Sequence, residues 1–145
     1  MALKRPRALL FALWGQFSDH WARADWRRQR HFADEIIDLG EVSGDVLTRV
    51  MGCDAGGLAC FQLGEFTAGR GYLEKALALY DPAHRRSASE LLSYDARVQY
   101  RVHLARLLAR IGYFDQALSQ RDAALEEARR LSHPPHSPWR WGVPG

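Results

Sequence analysis

Two stretches of this chain carry the same grammar, and that duplication narrows the fold more than any single motif does. Residues 63–82 read LGEFTAGRGYLEKALALYDP and residues 111–128 read IGYFDQALSQRDAALEEA. In each, a glycine breaks a helical pattern, an aromatic follows, and apolar periodicity resumes at once. Leu63-Gly64-Glu65-Phe66 aligns with Ile111-Gly112-Tyr113-Phe114, Ala76-Leu77 with Ala124-Leu125, and Gly57 upstream with Ala105. One such glycine marks a turn; two in register mark a repeating helix-turn-helix unit.

The rest of the chain supports an all-α fold. No sustained alternation of β-branched residues occurs, and Ala, Leu, Arg, Glu and Gln dominate. Helices are predicted over 8–21 and 23–39, with Gly40 as the stop of the second. Others are predicted from Ser43 or Asp45 to Leu63, then over 66–80, 98–111 and 114–131. Asp81-Pro82 ends the fourth helix. Residues 83–95 read equally as a loop, a short helix or an early start of the next helix. From 132 onward, SHPPHSPWRWGVPG holds four prolines and supports no helix longer than a turn.

Gly56 and Gly57, inside the third predicted helix, cost about 1 kcal/mol each relative to alanine, a penalty that close helix crossing offsets. On this reading Gly64 and Gly112 turn the backbone, while Gly57, Ala76, Ala105, Ala117 and Ala124, with residues 68 and 69, let paired helices approach. Cys53 and Cys60 sit seven apart in one helix, about 10 Å along its axis, too far for a disulfide. They read as small buried thiols, compatible with a reducing, cytoplasmic setting.

Size and charge exclude several classes. A chain of 145 residues, 47% hydrophobic, suits one compact domain or a short repeat array. Twenty basic against 17 acidic residues give a net +3, too mild an excess to argue for nucleic acid. Arg97, Arg101, Arg106 and Arg110 recur at spacings of four, five and four, which puts them on two sides of their helix rather than on one phosphate-binding face. A DNA-binding helical domain is therefore the weaker alternative. The start MALKRPRALLFALWG imitates a secretion signal, but no small-x-small cleavage site follows, and its apolar run is too short to span a membrane.

No catalytic or metal constellation stands out, and the expectation is a chain without enzyme activity, cofactor or metal. His133 and His136 lie close together without neighbouring carboxylates. Asp34 and Glu35 diverge by about 100° on a helix and read as a solvated face. Ser18-Asp19-His20 has the letters of a hydrolase triad, whose members normally converge from separate elements.

The repeat grammar resembles the tetratricopeptide repeat, a helix-turn-helix of 34 residues with small residues at the helix crossing. Residues 49–82 have that length and end in Asp81-Pro82. The resemblance implies a right-handed solenoid of about three helix hairpins over 8–131. Its parts are a degenerate repeat at 8–42, repeats at 45–82 and 92–131, and an irregular Pro-rich tail at 132–145. In the first, Ala33-Asp34-Glu35-Ile36-Ile37 pairs loosely with Leu73-Glu74-Lys75-Ala76-Leu77.

The resemblance also implies a groove for a protein or peptide, lined by first-helix residues Met51, Asp54, Leu58, Phe61, Gln62, Gln99, Val102, Arg106 and Arg110. Apolar at one end and cationic at the other, it suits an amphipathic helix or an acidic peptide. Asp54 and Leu58 stand where the family's clamp for a terminal carboxylate begins, so a chaperone-tail binder is not implied. Residues 59–86 and 103–134 are also similar to the C-terminal repeat region of bacterial signalling proteins that join a nucleotide cyclase or transcription regulator to an ATPase. No cyclase segment or phosphate-binding loop is present, which implies a scaffold module or, alternatively, a truncated regulatory fragment with no activity of its own. Self-association is a further expectation, since Trp14, Trp21, Trp139 and Trp141 lie near the array's ends.

Overall fold

The computed structural model describes residues 6–84 and 95–132. These residues are all-helical: α1 (Pro6–Ala22), α2 (Trp26–Ser43), α3 (Val46–Leu63), α4 (Phe66–Leu79), a 3-10 turn (Pro82–His84), α5 (Ala96–Arg110) and α6 (Phe114–Ser132). Each helix packs chiefly against its neighbour in sequence, α1 on α2, α2 on α3, α3 on α4, α4 on α5, and α5 on α6. The 83–95 insert lies mostly, and the 132–145 tail except Ser132 wholly, outside the described residues. His133, His136, Trp139 and Trp141 fall there too.

Aspartates start three of the helices. The side chains of Asp25, Asp45 and Asp95 accept hydrogen bonds from the backbone N–H of Arg28, Thr48 and Val98 at 3.3, 3.0 and 3.0 Å. Each bond satisfies a donor that the first helical turn leaves unpaired. Glu65, at the start of α4, makes no such cap. Its carboxylate instead meets Arg30 of α2 at 2.7 Å, tying α2 to the α3–α4 turn.

The turns inside the helix pairs share one geometry. Gly64 and Gly112 adopt φ of 77° and 88°, and the N–H of the residue after each reaches back five residues, Glu65 to Cys60 at 2.8 Å and Tyr113 to Leu108 at 2.9 Å. The α1–α2 turn does the same: Ala24 has φ 56° and Asp25 N–H reaches His20 at 2.9 Å. The alignment that pairs Ala33 with Leu73 also pairs Ala24 with Gly64, so the first turn follows the later two without a glycine.

One predicted stop is corrected. Gly40 does not end α2, which runs on to Ser43 and stops at Gly44, with φ 67°. Gly40 serves contact instead: a β-carbon there would lie 2.9 Å from the Cα of Arg49 on α3.

Close approach also explains the interior glycines of α3. A β-carbon on Gly57 would sit 2.5 Å from Leu73 Cγ on α4, and one on Gly56 3.1 Å from the Tyr72 ring. Gly69 would meet Leu107 Cδ1 of α5 at 2.8 Å, whereas Ala68 is exposed and takes no part. The core consists of two buried clusters, one from Leu10 and Phe17 through Ile36, Val50 and Ala59 to Tyr100, the other of Leu73, Leu104, Leu107, Leu108 and Ala117. Leu9 and Trp21 of α1 are 41% and 50% exposed. Cys53 and Cys60 are free, buried thiols.

Candidate functional site

The nine residues expected to line a groove separate into three groups. Met51 and Asp54 do not reach the surface: Met51 lies in the core, and Asp54 is 1% exposed. Asp54 Oδ1 lies 3.1 Å from Nδ1 of the buried His103, whose Nε2 lies 2.6 Å from the Gln99 amide. Asp54 and Gln99 are therefore joined through His103, a residue the spacing of histidines in the sequence gave no reason to select.

The second group gathers around Phe61. The guanidinium carbons of Arg106 and Arg110 lie 4.9 and 5.8 Å from its ring centre, and Phe66 abuts the ring at 5.8 Å. Stacking on an aromatic face holds both exposed cations on one patch of surface. Leu58, Phe61, His103 and Arg106 also bound a void of about 10 Å³ with Gly57 and Leu73, room for no more than one water. Gln62 is half-buried on the last turn of α3.

The third group opens onto an apolar concavity. Val102 and Arg106 line a trough of about 390 Å³ between α5 and α6, floored by Ala105, Ala109, Ala117, Ala124 and Ala128. Leu118, Arg121 and Leu125 of α6 form the far wall, with Val98 at one end. Val102, Leu118 and Leu125 are 37%, 46% and 47% exposed. Ala105, Ala117 and Ala124, expected as repeat-packing residues, thus face both the helix contact and the open trough. Leu118 and Leu125, two turns apart on α6, were the available sequence signal for that wall.

The arginines divide as their spacing suggests. Arg97 and Arg101 face α6, where both approach the buried Glu127 carboxylate at 3.6 and 3.5 Å, while Arg106 and Arg110 face Phe61. The other candidate clusters resolve into local pairs. Asp34 meets Arg30 at 3.1 Å and Glu35 meets His31 at 3.0 Å. Asp19 meets Arg23 at 3.1 Å, while His20 stacks on Phe32, so Ser18, Asp19 and His20 do not converge. Among the described residues no three His, Cys, Asp or Glu side chains are placed to hold a metal, and no helix is long and apolar enough to cross a membrane.

No family model matches the chain, and no curated protein or solved structure matches it either.

Proposed function

We propose that this chain is a protein-interaction module: a tetratricopeptide-like, right-handed stack of three helix hairpins that holds a partner and performs no chemistry itself. The observation that carries the reading is the open trough between α5 and α6, apolar along its floor and rimmed by Arg106 and Arg121. A trough of this size in a small protein exposes apolar surface at a cost, which burial against a partner recovers. The repeated turns at Ala24, Gly64 and Gly112 support the hairpin stack. We further propose a scaffold role in signalling, on the resemblance that residues 59–86 and 103–134 carry.

The test is affinity capture from the cell that makes the protein, comparing the unaltered chain with Arg106→Glu. The expected result is a protein retained by the first and lost by the second, at equal helicity and melting temperature. Equal retention by both would remove the basis for this reading.

A further inference from the structure

The occupant of the α5–α6 trough can be read from the chain's own repeat. In the register that superposes Gly64 on Gly112, Asp54, Gly57, Phe61, Gly69, Leu73 and Tyr80 of α3, α4 and the residue just after α4 correspond to Val102, Ala105, Ala109, Ala117, Arg121 and Ala128. The first set is covered by a helix, α5. His103 meets Asp54, the methyl of Leu107 fills the space over Gly69, Leu104 and Leu107 cluster with Leu73, and the Tyr100 ring abuts that of Tyr80. The second set is the trough, and no described helix covers it.

We infer that the trough receives one amphipathic α-helix from a partner protein, seated as α5 is seated on α3 and α4, with an acidic residue directed at Arg121. The differences between the two faces fix the chemistry. Val102 replaces Asp54, so the incoming helix needs an apolar side chain where α5 has His103. Ala109 and Ala128 replace Phe61 and Tyr80, leaving room for bulky side chains at both ends. Arg121 replaces Leu73; its Nε and Nη2 donate to Asp122 at 3.0 and 2.9 Å, an exposed pair of little strength, and with Arg106 on the opposite rim it draws a partner's carboxylate to the middle. The residues after Ser132 carry four prolines and do not supply such a helix in sequence terms.

The inference rests on the interaction-module reading and is tested with a synthetic probe. A fluorescent 17-residue peptide carries the α5 pattern, with Tyr, Leu, Glu and Leu at the places of Tyr100, His103, Leu104 and Leu107, and glutamine for its arginines. Anisotropy with the full chain should show saturable binding. Leu125→Glu should weaken it by about tenfold or more, as expected when a central contact is lost. Arg121→Glu should weaken it similarly and be rescued by a peptide with Lys in place of Glu.

Three outcomes overturn the inference. One is no saturable binding, or equal binding of a scrambled peptide. Another is a dimer by light scattering that Leu125→Glu dissociates, which assigns the trough to a second copy. The third is peptide binding only to a chain ending at Ser132, which assigns it to residues 133–145. If Arg106→Glu still loses a cellular partner while the peptide fails, the module reading stands and the helical occupant falls.

Discussion

Asp54 and His103 form a buried pair between α3 and α5, Oδ1 to Nδ1 at 3.1 Å, with both residues under a tenth exposed. With the carboxylate ionised it can only accept, so Nδ1 carries the proton and Nε2 accepts from the Gln99 amide. A charge taken out of water in this way is tolerated only while its partner remains.

His103→Leu should therefore lower unfolding free energy by about 3 kcal/mol, because it strands the Asp54 carboxylate. The double variant Asp54→Val with His103→Leu should return to within about 1 kcal/mol of the unaltered protein, since an apolar pair of similar volume needs no solvation. Val at 54 is the residue the repeat itself places at the corresponding position, Val102. Urea titration of the three proteins checks this; a double variant as unstable as the single would show that packing, and not the stranded charge, sets the cost.

Two glycines should respond to alanine with opposite sign. At Gly57 a β-carbon would lie 2.5 Å from Leu73 Cγ, in a packed interface, so Gly57→Ala should cost roughly 1–3 kcal/mol despite the gain in helix propensity. At Gly71, exposed on α4, a β-carbon meets nothing within 4 Å. Gly71→Ala should add up to about 1 kcal/mol. Thermal melts of both variants suffice, and a shift of the same sign in both would contradict the close α3–α4 crossing.

The helix pairs from α3 onward were legible in sequence because their turns place glycine where the backbone goes left-handed, at 64 and 112. The break between α1 and α2 was legible too, at residue 22, but its left-handed turn was not, because Ala24 holds that conformation and carries no turn signature. Gly40 misled for the converse reason: a glycine needed for contact with Arg49 looks like one that ends a helix. The resemblance puts Asp54 in a groove as a first-helix position, and the structure buries it. Its partner lies on another helix, and sequence spacing carries no trace of such pairing. The trough was missed as a surface for a related reason, since alanines look alike whether another helix covers them or not.

The buried thiols should be silent until the fold opens. Burial pushes both Cys53 and Cys60 above the ordinary thiol range, and the Arg30 guanidinium, 3.2 Å from Cys60 Sγ, offsets this only in part. Neither should react with a disulfide reagent at neutral pH except at the rate of unfolding. Above about pH 8.5 the unfolded chain releases thiol protons that the folded one retains, so stability should fall as pH rises there. Replacing both cysteines by alanine should flatten that slope between about pH 8 and 9.5. Prompt labelling of either thiol in the native protein would refute the burial assigned to them.

Ala24 stores strain that a single substitution can release. Its φ of 56° brings the β-carbon toward the following carbonyl, at a cost of roughly 1–2 kcal/mol that glycine does not bear. Glycine gives back part of this through the greater freedom of its unfolded chain, so Ala24→Gly should stabilise by about 0.5–1 kcal/mol. Gly112→Ala makes the reverse change in an equivalent turn, with φ 88° and nothing near the added carbon, and should destabilise by about 1 kcal/mol. Because neither change touches a packed side chain, the two effects should sum in the double variant. Chemical denaturation of the singles and the double reads all three values. A destabilising Ala24→Gly would mean that the first turn is not held in the left-handed conformation of the other two.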